Sequence, residues 1–275
     1  GYGQSAILKE VNIIMAPGQA VSLMGRNGVG KTTLLKSLMG LIKPKTGKVI
    51  LEDNDVTNWP ANKRAIAGIG YVPQGREIFP YLTVRENLLM GLEALPNAER
   101  KIEALDEMYE QFPALQTFGA KAAGTLSGGQ QQQLALARVL VRKPKVLLLD
   151  EPTEGLQPNI VQEIEDLLHG LRERQEAAIL LVEQFLDFAM SVADHCYVME
   201  NGAIVLEVGL RIAPVVVDFV FHRVLVELNS QTRPGGEFNE AVFEGEGVLQ
   251  IALAECGVLL REEVWNRCVE LDTRS

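Results

Sequence analysis

Cysteine is scarce: the chain has three, Cys196, Cys256 and Cys268, and no two of them form a CxxC pair. An odd number without paired spacing argues against a disulfide framework and fits reduced thiols packed in a core. The three histidines, His169, His195 and His222, are scattered and share no ligand spacing, so no imidazole-based metal site is expected. No stretch approaches the roughly 18–20 consecutive apolar residues needed to span a bilayer, and no segment reads as a signal peptide. Such a chain is expected to meet a membrane only through a partner. Positive charge is short as well. Lys and Arg number 26 against 36 Asp and Glu, for a net charge of −10. That balance opposes broad, sequence-independent binding to nucleic acid, which needs a basic surface.

What is present is an alternation of short apolar strands with helices. Strands are expected at Ala20 to Met24, Lys48 to Leu51, Gly68 to Val72, Val146 to Leu149 and Ile179 to Val182, each bounded by turn residues or charge. Residues 83 to 112 read as helical, a further helix is expected to begin near Gln130 with Ser127 as its cap, and Ile160 to Arg174 is amphipathic. Cys196 to Met199 and Ala203 to Val208 read as a closing hairpin around Glu200, Asn201 and Gly202. This pattern predicts an α/β fold with a mostly parallel sheet, an antiparallel portion and a helical subdomain inserted at about 76–140. Residues 209–275 differ in character. Residues 211–275 hold 11 acidic and 6 basic residues and no lysine. A helix is expected from Gly247 to Leu271, weakened by Gly257.

Three motifs carry chemistry. Gly25, Arg26, Asn27, Gly28, Val29, Gly30, Lys31 and Thr32, followed by Thr33, fit GxxxxGK[ST] between a predicted strand and a predicted helix. Glycines let backbone N–H groups converge on phosphate oxygens, and the following helix presents its positive end to the anion. Lys31 is expected to reach the β- and γ-phosphates of ATP, and the Thr32 hydroxyl to ligate Mg²⁺. The run Val146 to Leu149 delivers Asp150 and Glu151 to the C-terminal edge of the sheet, where ligands bind in such folds. Asp150 is expected to hold Mg²⁺ through water, and Glu151 to polarise the attacking water. Leu126, Ser127, Gly128, Gly129 and Gln130 place two glycines at a helix N-terminus, open to an anion.

With these three motifs in order, residues 2 to 208 resemble an ABC transporter nucleotide-binding subunit: a P-loop NTPase core, with 209–275 as a C-terminal extension outside the resemblance. The resemblance implies a head-to-tail dimer, with itself or with a second ABC ATPase subunit. Each ATP would lie between the phosphate loop of one subunit and Ser127, Gly128, Gly129 and Gln130 of the other. It further implies that Tyr2 stacks on adenine, that Gln74 contacts Mg²⁺ or water and senses the permease, and that Thr153 to Pro158 faces the opposite subunit. Where most of the family has a histidine contacting the γ-phosphate, this chain has Gln184. Glutamine donates through its amide but carries no titrating charge, so slower turnover, or dependence on a partner that has the histidine, is expected.

Leu180 to Gln184 (LLVEQ), Gly75 to Leu88 and Asp150 to Pro158 resemble the subgroup serving branched-chain amino acid and urea importers. Gly25 to Leu41 and Leu126 to Arg138 look closest to its urea-type branch, and within the pair of ATPases of such importers the chain resembles the shorter one. The partners implied are transmembrane permease subunits, a second ATPase subunit and, indirectly, a solute-binding protein, with no nucleic acid. The place implied is the cytoplasmic face of the membrane. A soluble ABC ATPase acting on DNA or ribosomes usually carries two cassettes or a long coiled coil. Here one phosphate loop and one LSGGQ occur, without extended heptads. A regulator that binds nucleotide without hydrolysis is opposed by Glu151.

Overall fold

The computed structural model describes residues 7–93, 103–210 and 259–260. Its main sheet is built on apolar runs too short and too β-branched or leucine-rich to be anything but buried strands. β1 (Ala20–Met24) and β6 (Ala178–Val182) are buried at every position, as is nearly all of β5 (Val146–Asp150). With β4 (Ile69–Val72), β7 (His195–Glu200), β8 (Ala203–Gly209) and β9 (Leu259–Leu260) they form one sheet in the order β4-β5-β6-β1-β7-β8-β9. Pairing is parallel from β4 through β7 and antiparallel from β7 to β9. The expected α/β architecture is therefore present.

Burial on both faces follows from the pleat, which sends alternate side chains to opposite sides. Leu147, Leu149, Ile179 and Leu181 join one core, under α6 (Gly128–Leu140) and α7 (Pro158–Glu173). Leu148, Leu180, Val182 and Leu23 join the other, under α1 (Lys31–Met39). Each such fully buried side chain contributes about 1.5–3 kcal/mol of transfer free energy. The β7–β8 turn is as expected: Asn201 and Gly202 both have positive φ, 48° and 83°, the two-residue geometry that matches strand twist.

Between β4 and β5 the chain leaves the sheet as helices α3 (Val84–Leu92), α4 (Ala104–Gln111), α5 (Pro113–Thr117) and α6. Thr83 and Glu86 form a reciprocal capping box at the start of α3, satisfying two first-turn donors. The helical reading of 83 to 112 is met by α3 and α4, with residues 94–102 outside the described set. The helix after Ser127 starts at Gly128, two residues earlier than expected.

Lys48 to Leu51 departs from expectation. Only β2 (Ile50–Leu51) forms, and it pairs with β3 (Asn54–Asp55) in a separate two-stranded sheet. Ile50 is exposed, so no buried face extends the strand. After β3 comes α2 (Ala61–Ile66), whose Arg64 is buried. Its guanidinium donates to the carbonyls of Ser37, Leu38, Thr57 and Trp59. Two of these are end carbonyls of α1, that of Ser37 also accepting from the Gly40 N–H at 3.2 Å, so Arg64 helps close the back end of the helix that carries Lys31. The helix expected across Gly247 to Leu271 is corrected at Leu259 and Leu260, which pair as β9 with Glu207 and Leu206. The unpaired edge of β8 offers ladder donors and acceptors that override a weak local helix preference.

Candidate active site

The loop between β1 and α1 crosses over β7. A Cβ on Gly25 would stand 2.4 Å from the Met199 carbonyl oxygen, so only glycine fits. Gly30, at φ 117°, is the N-cap of α1 and supplies no side-chain capping bond. The first-turn N–H groups of α1 are thus left to an anion. Arg26, Asn27 and Gly28 form the exposed tip, while Val29 and Thr33 are half-buried.

Lys31 is 5% exposed. Its ammonium donates to the carbonyls of Gly25, at 2.5 Å, and Arg26, at 3.1 Å. It lies 3.9 Å from Glu151 Oε1. Burial pulls its pKa down, opposed by the charges of Glu151, Asp150 and Glu183. A desolvated cation next to open helix-end N–H groups makes a strong phosphate site.

Thr32 Oγ1 donates to Asp150 Oδ1 at 3.2 Å, and the Tyr71 hydroxyl donates to Oδ2 at 3.3 Å. Asp150 is 1% exposed. Burial pushes its carboxyl up, against the two hydrogen bonds. A hydroxyl and a carboxylate held together are hard oxygen donors of the kind Mg²⁺ takes. Among the described residues no group of three or more His, Cys, Asp or Glu stands ready to cage a metal.

Glu151 follows at the strand end with φ 50°, its N–H bonded to the Val182 carbonyl at 2.9 Å. Gln74, on the loop after β4, donates through Nε2 to Glu151 Oε2 at 3.3 Å and to Glu154 Oε2 at 2.9 Å. Its Oε1 is the end suited to a metal or water. Lys31, Thr32, Asp150, Glu151 and Gln74 are thus brought together from three separate segments.

Ser127 and Gln130 are engaged with each other. Gln130 N–H donates to Ser127 Oγ at 3.3 Å, and Ser127 N–H to Gln130 Oε1 at 3.0 Å. The pair caps α6, and Gly128 lies beneath the Arg76 guanidinium. The Gln184 side chain is exposed, while the backbone N–H of Gln184 donates to Glu183 Oε2 at 3.0 Å. Tyr2 lies outside the described residues. Sequence reasoning missed Tyr71, Glu183 and the Gln74–Glu154 bond. A lone acid at the end of the otherwise apolar β6 run was the available signal for Glu183.

The family model described as ABC transporter matches residues 8–154. The chain belongs to the ABC transporter ATP-binding family. As an ABC cassette it binds and hydrolyses ATP. It is 40% identical over 205 residues to the high-affinity branched-chain amino acid transport ATP-binding protein BraG of Pseudomonas aeruginosa, covering 74% of this chain and 87% of that one. To the probable branched-chain amino acid transport ATP-binding protein LivF of Archaeoglobus fulgidus it is 39% identical, covering 74% and 86%. A dimeric ATP-binding cassette solved in a post-hydrolysis state with ADP and Pi aligns at a TM-score of 0.67 and 29% identity, over 75% of this chain and 92% of that one. No helix among the described residues of this chain is long and apolar enough to cross a membrane.

Proposed function

We propose that this ABC cassette is the ATPase of an importer for branched-chain amino acids, acting through permease subunits at the cytoplasmic face of a membrane. The observation that carries the ATPase part is the joining of Lys31, Thr32, Asp150, Glu151 and Gln74 at one strand edge. What supports the cargo is the name borne by both relatives above. The urea-type reading draws on the segments Gly25 to Leu41 and Leu126 to Arg138, and is the second reading.

In this account two cassettes pair head to tail, as identical chains or with a second ATPase. Residues 1–208 form the cassette and 209–275 an extension. Gly25 to Thr33 hold the phosphates of one ATP, with Tyr2 on its adenine. Ser127, Gly128, Gly129 and Gln130 of the facing cassette close over it. Lys31 stabilises charge developing on the γ-phosphoryl group. Glu151 orients and polarises the attacking water, with Gln74 holding its carboxylate. Thr32, Asp150 and Gln74 would hold Mg²⁺, which neutralises phosphate charge when bound. Gln184 donates its amide toward the γ-phosphate. Closure over ATP and opening after its loss are differential binding, and that difference moves the permease. A solute-binding protein takes part only through the permease.

Uptake of labelled leucine and labelled urea separates the readings, in cells lacking this protein and complemented with parent or Glu151→Gln. Leucine uptake restored by the parent alone is the expected result. Urea restored instead would change the cargo, and restoration of neither would refute the importer reading for both solutes.

A further inference from the structure

Glu183 is a carboxylate where apolar packing would be cheaper. It follows five fully buried residues of β6 and is itself 1% exposed. A buried anion is costly unless its lone pairs are taken, and here they are. Oε1 accepts from Thr153 N–H at 3.2 Å and from Thr153 Oγ1 at 2.5 Å. Oε2 accepts from Gln184 N–H at 3.0 Å. The Glu183 N–H donates to the Leu23 carbonyl at 3.4 Å, one residue before the end of β1, where the phosphate loop begins. The negative charge of Glu183 repels phosphate but also favours the Lys31 ammonium, two opposed effects on affinity, whereas its hydrogen bonds act on geometry. It holds one end of the loop Thr153 to Pro158 and the main chain of Gln184 on a single rigid carboxylate.

We propose that Glu183 is a positioning residue for hydrolysis, tying the partner-facing loop at Thr153 to Gln184 so that the two move as one unit. The inference rests on the reading given above for Gln184 and for that loop. A displacement of Thr153 on cassette closure is carried through the two carboxylate oxygens to the Gln184 backbone. Turnover then depends on Glu183, while ATP affinity, set at Lys31 and the α1 N-terminus, does not. Glu183→Gln keeps an oxygen for Thr153 but turns an amide N–H toward the Gln184 N–H, breaking the tie to the main chain that follows β6, where Phe185 also bonds the carboxylate.

The test is steady-state ATP hydrolysis by the full chain, with TNP-ATP binding measured in parallel. The variants are Glu183→Gln, Thr153→Val, Gln184→Ala and each of the first two combined with Gln184→Ala. The expected result is a kcat about tenfold lower in Glu183→Gln, with KM and TNP-ATP affinity within about twofold, and no further loss in the Gln184→Ala background. If Glu183→Gln fails to fold, Thr153→Val must show the same dependence on Gln184. An equal fold-loss in both backgrounds, or a loss confined to KM or thermal stability, would overturn the proposal while leaving the ATPase reading intact. A parent chain without turnover would overturn that reading first, and the inference with it.

Discussion

Thr32 and Asp150, 118 residues apart in sequence, are joined by a hydrogen bond of 3.2 Å at the mouth of the phosphate loop. The bond welds the start of α1 to the end of β5, so the groups proposed to hold phosphate and metal share one rigid frame. Its acceptor is a carboxylate that burial pushes up from 3.8. Function here therefore costs stability, and that has a measurable sign.

Because burial raises the Asp150 carboxyl, the folded state holds that proton more tightly than the unfolded chain does. The stability it contributes is fully present below 3.8 and lost as pH rises through the raised value. Asp150→Asn has no such titration. Guanidinium unfolding of nucleotide-free protein should show the variant gaining on the parent as pH climbs above 3.8, then a plateau. A difference independent of pH would contradict the burial argument.

Lys31→Ala should weaken ATP binding about 10–100-fold, the equivalent of losing charge-assisted bonds of about 1.5–3 kcal/mol. Equilibrium binding of TNP-ATP checks it. The fold should survive, because the carbonyls of Gly25 and Arg26 that Lys31 now holds lie at a partly exposed loop that water reaches.

Gln184→His should raise turnover by about tenfold, since an imidazole adds a stronger donor at the same position. A kcat no higher than the parent's would count against placing Gln184 at the γ-phosphate.

Cys196 should resist thiol reagents at neutral pH until the protein unfolds. Burial pushes its thiol up to about 12, leaving little thiolate to react. DTNB labelling of a Cys256→Ser/Cys268→Ser variant reads this site alone, and rapid labelling of the folded protein would contradict its place in β7.

The parts of this site that could be read in the sequence share one property: their chemistry is local. Gly25 to Thr32, Ser127 to Gln130 and Asp150 with Glu151 each announce a loop, a helix start or a strand end within a few residues. The Asn201–Gly202 turn and the alternating strands are legible for the same reason. Glu183 and Tyr71 were not, because their partners, Thr153 and Asp150, lie 30 and 79 residues away. Arg64 was missed likewise, since nothing in ANKRAI marks a guanidinium that closes another helix. The β2 expectation ran too long because an exposed Ile50 mimics the signal of a buried strand. Leu259 and Leu260 went the other way, where an open sheet edge decided a segment whose own pattern suggested helix.

The most direct test of the central claim is steady-state ATP hydrolysis by the full chain and by Glu151→Gln, with bound nucleotide measured on the same samples. The account predicts turnover in the parent, a loss of about 10²–10⁴-fold in Glu151→Gln, and ATP still bound to the variant. Parental turnover in Glu151→Gln would contradict the assignment of Glu151, and no turnover in either would contradict the hydrolytic role itself.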